Sequence, residues 1–214
     1  MSIFFSNRKI LLQMKEKNFI ITISSIFILI FIIGLWISSI YNHLVELNEN
    51  IKTQWGQVEN VYQRRADLIP NLINTVKGSA NFEKNTLTQI IEARTKATSI
   101  HTNTNNLNQN QINKFQKVQE NLNDSVSRFL LIVENYPNLS STKNFYELQN
   151  QLEGTENRIN IERNRFNDHV NYFNTYRNQF PKIIIANFFD KFQEKGYFQS
   201  KIESRKSPVV DFSK

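Results

Sequence analysis

The sequence contains no cysteine, and only five glycines and four prolines among its 214 residues. Without a thiol there is no disulfide scaffold, no thiolate nucleophile and no Cys-ligated zinc or iron–sulfur site. An ordinary glycine share of about 7% would supply roughly fifteen. Five are too few for glycine-lined nucleotide folds or turn-rich β-sandwiches, which need many positions at positive φ. Excess charge is also scarce over most of the chain. Three of the seven units of net positive charge fall in residues 1–18, where Arg8, Lys9, Lys15 and Lys17 stand against Glu16. Residues 41–214 hold 22 basic and 18 acidic side chains, a solvated balance with no claim on nucleic acid.

Phenylalanine and asparagine are plentiful, at seventeen and thirty residues. The Asn, Ile, Lys and Phe bias matches that of an AT-rich genome, so a single Asn carries little weight. Hydrophobicity is concentrated near the start. Residues 19–40 read FIITISSIFILIFIIGLWISSI, with fifteen Ile, Leu, Phe or Val and no charge. About 20 such residues cross a hydrocarbon core as a helix. The run exceeds the apolar core of a cleaved signal peptide and lacks a small-residue cleavage pattern, and Trp36 and Tyr41 suit an interfacial belt. A retained transmembrane helix is expected. The basic residues before it place the N-terminus in the cytoplasm and the body outside.

The body is helical in pattern. Leu44, Ile51, Val58, Arg65 and Leu72 recur every seven residues, flanked by a second line of Asn48, Trp55, Tyr62, Ile69 and Val76. That is the seam of a bundle or coiled-coil helix spanning about 41–78. Pro70 frees the carbonyl of Ala66 and predicts a kink or break. Further helices are expected over about 82–100, 107–135 and 140–180. A polar loop at 102–110 and the Tyr136-Pro137 step separate them, and Ser140, Ser141 or Thr142 caps the last. Gly154, mid-helix, predicts close approach of another helix. Residues 182–198, KIIIANFFDKFQEKGYF, either close the bundle end or lie on a membrane or partner. The fold class is all-α: an N-terminal transmembrane helix followed by an elongated antiparallel bundle of long helices. Its segments are 1–18, 19–40, 41–181 and 182–214.

Chemistry is sparse. His43, His101 and His169 are far apart and belong to no ligand motif, so no metal is expected. No phosphate loop, nucleophile elbow or HExxH occurs. No catalytic or cofactor-binding residue and no cofactor is expected. The candidate polar layer comprises Arg64, Arg65 and Asp67 on the first long helix with Glu153, Glu156 and Arg158 on the last. Arg65 holds a seam position, so its guanidinium needs a carboxylate or carbonyls inside the bundle. Aromatic residues from Tyr136 to Phe180 fall mainly on helical stripes and read as core.

Several stretches resemble the LemA family of membrane-anchored bacterial proteins. They include Arg64-Arg65-Ala66-Asp67-Leu68-Ile69-Pro70-Asn71-Leu72 and Leu152-Glu153-Gly154-Thr155-Glu156-Asn157-Arg158-Ile159. Glu92-Ala93-Arg94, Glu134-Asn135-Tyr136-Pro137, Phe180-Pro181, Tyr197-Phe198 and residues 208–212 extend the likeness over about 41–212. The resemblance implies one transmembrane helix and a long-helix bundle, and transfers no catalytic residue. The expected role is therefore non-enzymatic. The bilayer would be contacted through 19–40 and a protein partner or second copy through the body. The alternative is a module binding a small ligand or peptide at the polar layer.

Overall fold

The computed structural model describes the backbone of residues 2–76, 83–140 and 142–199, and the side chains of 17–76, 83–138 and 142–199. The apolar Phe82, the stop at Gly78 and the 208–212 stretch lie outside these ranges. The described residues are helical with no strand, as an all-α fold requires. The chain falls into two compact units, Met1–Val45 and Glu46–Lys214.

The first unit is the leading part of helix α1, Ser2–Val76. Every side chain from 17 to 39 is exposed, so its apolar run is not the core helix of a soluble body. Thr22 Oγ1 donates to Phe19 O, and Ser25 Oγ to Thr22 O, both at 2.8 Å. These hydroxyls are satisfied within their own helix, as an apolar surrounding demands. The helix is long and apolar enough to cross a membrane.

The second unit holds the remainder of α1, then α2 (Lys84–Ser99), α3 (Gln109–Glu134), α4 (Pro137–Ser140), α5 (Lys143–Asn178) and α6 (Lys182–Phe188). Residues 182–199 belong to this unit and are not a separate body. Asn108 caps α3 by accepting from Gln111 N, and Thr142 caps α5 by accepting from Phe145 N. All ten seam positions, from Leu44 to Val76, are buried. α5 runs antiparallel to α1: Trp55 meets Phe166, and ten residues later Arg65 meets Glu156. Ile69, Leu72, Ile73 and Val76 of α1 pack with Ile90 of α2, Phe129 and Val133 of α3, and Phe145 of α5.

Two local expectations change. Pro70 does not break α1, which continues to Val76. The carbonyl that proline leaves without its helical partner, Ala66 O, accepts from Arg94 Nε at 2.8 Å. An inter-helix bond thus replaces the missing one and ties α2 to α1. Nor does Gly154 mark a close approach: a Cβ there would meet nothing within 4 Å.

Gly154→Ala should therefore raise unfolding stability by about 0.5–1 kcal/mol in chemical denaturation, since only helix propensity changes. A clash hidden at this position would instead lower it. Arg94→Ala should cost about 1–3 kcal/mol in the parent and distinctly less in Pro70→Ala, where the main chain again satisfies Ala66. Equal costs in the two backgrounds would separate Arg94 from the proline.

Candidate binding cleft

Residues 193–199 leave the short helical turn Asp190–Phe192 and run, non-helical, between α3 and α5. A glycine is needed where they pass the start of α3. A Cβ on Gly196 would lie 2.5 Å from Gln109 Cα and 2.6 Å from its nitrogen. Gly196 N instead donates to Leu107 O at 2.8 Å.

Among the described residues the 195–199 segment has no neighbouring strand, and carboxamide side chains take its place. Asn174 donates to Lys195 O and accepts from Lys195 N, at 2.9 and 3.0 Å. Gln109 treats Tyr197 likewise at 2.9 and 3.0 Å, Asn167 treats Phe198 at 3.0 and 2.9 Å, and Gln116 treats Gln199 at 2.7 and 3.1 Å. A carboxamide carries the same donor and acceptor as a peptide group, so each side chain replaces one rung of a sheet. Tyr197, Phe198 and Gln199 face α3, α5 and α3 in turn, the alternation of an extended chain.

The segment also supplies core. Phe198 stacks on Trp55 at 5.9 Å between centroids and meets Phe166 edge-on at 5.4 Å. Trp55 touches Phe115 edge-on at 4.9 Å, so rings from α1, α3, α5 and the segment form one cluster.

Where the segment reaches Gln199 a cleft of about 580 Å³ opens, lined by residues of α1, α3 and α5 with Phe198 and Gln199. Arg65 is among its lining residues and only 3% exposed. Its Nη1 lies 3.1 Å from Glu156 Oε2, and Nη2 donates at 2.9 Å to both the backbone and side-chain oxygens of Gln119. Gln119 Nε2 in turn donates to Ala97 O at 3.2 Å, joining α2 to the layer. The guanidinium sits 5.0 Å from the Tyr62 ring centroid, and its Nε is buried with no hydrogen-bond partner among the described residues. Burial lowers the Arg65 pKa and raises that of Tyr62, and Glu156 partly restores the arginine.

Of the six candidate layer residues, the structure brings together Arg65 and Glu156. Arg64, Asp67, Glu153 and Arg158 are exposed, with Asp67 accepting from Gln63 and Glu153 from Gln149 on their own helices. Sequence reasoning missed Gln119, which falls between the apolar positions of α3, and Glu162, a buried acceptor for Gln54 Nε2 at 2.8 Å. It also missed the four carboxamides, whose signal was the seven-residue spacing of Gln109 and Gln116 and of Asn167 and Asn174. Among the described residues no cluster of His, Asp and Glu is arranged to hold a metal.

The LemA family model matches residues 54–212, about three quarters of the chain and every residue of the cleft. The chain belongs to the LemA family. No curated protein matches the sequence. The LemA match begins at Gln54, beyond the apolar run, so the two parts of α1 rest on separate observations.

A buried cation lies at the other end of the carboxamide-held segment. Lys195 is 4% exposed, with its ammonium near Asn105 O and Lys191 O at 3.5 and 3.3 Å. Burial, with Lys52 and Arg177 nearby, lowers its pKa to about 8. Between that value and about 10.4 the unfolded chain holds a proton that the folded protein has released. Stability from this group therefore rises with pH across that window. Urea unfolding of the wild type against Lys195→Met should show a difference moving toward the wild type by up to about 3 kcal/mol from pH 7 to 10.5. A pH-independent difference would place the ammonium in solvent.

Proposed function

We propose that this LemA-family chain is a single-pass membrane protein whose helical body acts as a non-enzymatic binding module. The observation that carries the binding reading is the open cleft over Arg65. A buried charge with one N–H unpartnered is costly unless something completes its surroundings. The four charged lining groups Arg65, Arg163, Glu120 and Glu156 cancel, so the cleft suits a neutral polar ligand better than a phosphate.

Two features support the anchored reading. One is the apolar run of α1, whose side chains are exposed from 19 to 39. The other is a stripe of Phe180, Ile184 and Phe188, spaced four apart and 82%, 63% and 82% exposed. Because α5 is antiparallel to α1, the stripe lies at the end of the second unit at which α1 enters it. The apolar run ends six residues before that unit, at Ile40. These exposed apolar side chains suit contact with a bilayer surface, as amphipathic segments do. The basic flank before the span puts the body outside the cell.

The test is a photocrosslinking residue placed at Asn164, on the cleft, and at Gln89, on α2, in intact cells, with protease added outside. The expected result is a discrete adduct from Asn164 that disappears with Arg65→Met, none from Gln89, and digestion of the body. Identical adducts from both positions would overturn the cleft as the binding surface. Protection of the body would reverse the orientation, and extraction of the chain by alkaline carbonate would remove the anchor.

A further inference from the structure

The clamp on residues 195–199 repeats farther along the same two helices. Gln109, Gln116 and Asn123 lie seven residues apart on α3, and Asn174, Asn167 and Asn160 lie seven apart on α5. Seven residues are close to two turns, so each trio shares one face with about 10.5 Å between successive members. The first two members of each trio hold main-chain N–H and C=O groups of the 195–199 segment. The third members, Asn123 and Asn160, line the cleft instead. Neither side chain hydrogen-bonds another described residue. The cleft thus continues the groove with one more pair of the same groups, above an arginine whose Nε has no partner among the described residues.

We propose that the cleft is a site for polypeptide main chain. An extended segment of a second polypeptide lies in it, in line with residues 195–199, with Asn123 and Asn160 pairing its N–H and C=O groups. This rests on the reading of the cleft as a binding surface and names the ligand class. The choice of main chain follows from continuity: the same residue types, on the same faces, already pair with the main chain of Lys195, Tyr197, Phe198 and Gln199. The balanced charge of the lining argues against nucleic acid or a strongly charged peptide. Recognition through main-chain groups tolerates many side chains, as in strand addition to a sheet edge.

The experiment uses the full chain in lipid nanodiscs, with the side-chain amide signals of Asn123 and Asn160 followed by nuclear magnetic resonance. The probe is a blocked hexapeptide of alternating serine and alanine. Its control is the same peptide N-methylated at each alanine, which keeps the side chains and removes alternate N–H donors. The expected result is saturable movement of both signals, binding of the methylated peptide at least about tenfold weaker, and loss of binding in Asn123→Leu/Asn160→Leu. Gln89→Leu, on α2 and not among the residues lining the cleft, should stay within about twofold. Equal binding of the two peptides would overturn main-chain recognition while leaving the cleft a binding surface. No movement up to about 10 mM peptide would overturn it as well, and the Asn164 crosslink reads the cleft independently. Binding confined to a form ending at Gln199 would assign the cleft to the chain's own following residues and overturn the proposal.

Discussion

A non-helical segment packed inside a helical body must find a partner for each main-chain N–H and C=O, and helices offer none from their own ladders. In this protein that constraint is met by Asn174, Gln109, Asn167 and Gln116, each acting as a substitute peptide group. With the polar groups satisfied, Phe198 can enter the space between Trp55, Phe115 and Phe166. α3 and α5 are then separated by the width of a peptide chain and do not pack directly against each other along this stretch. The cleft follows from that separation: where the segment reaches Gln199, the space opens.

The polar layer and the proline solve related problems by exchanging a local bond for a long-range one. Arg65 occupies a seam position on α1 and reaches Glu156 on α5 and Gln119 on α3, while Gln119 reaches Ala97 on α2. Four helices are fixed in register around one charge. Pro70 withholds a hydrogen from Ala66, and Arg94 supplies it from the neighbouring helix. Both devices destabilise alternative registers, because a slip leaves a buried charge or carbonyl unpaired.

Much of the architecture is legible in residue order. The heptad line from Leu44 to Val76 identifies ten buried positions, the Tyr136-Pro137 step follows the end of α3, and Thr142 caps the start of α5. The apolar run declares itself through length and lack of charge. What is not legible depends on partners remote in sequence. The seam position singles out Arg65 from Arg64, but its partner Glu156 is 91 residues away, and the heptad line of α1 does not say that Glu156 rather than the exposed Glu153 meets it. Asparagine in an AT-rich composition looks like background, so Asn167 and Asn174 were discounted although their spacing matches a helix face. The fate of 182–198 is divided as well. Phe192 and Phe198 are core, whereas Phe188 is 82% exposed. Burial of that kind is decided by where the chain turns, at Gly196 and the Asp190–Phe192 turn, and not by hydrophobicity.

Membership of the LemA family, an apolar run long enough to cross a membrane and a charge-balanced polar cleft are the observations on which the proposed membrane-anchored binding module rests. Side-chain carboxamides hold the 195–199 main chain as a sheet neighbour would. Amide hydrogen exchange in the full chain measures this directly. The amides of Lys195, Tyr197, Phe198 and Gln199 should exchange about a hundredfold or more slower than in an unstructured chain, with Asn167→Leu releasing Phe198 first. Exchange of those four amides at unstructured rates, while the helices stay protected, would contradict it.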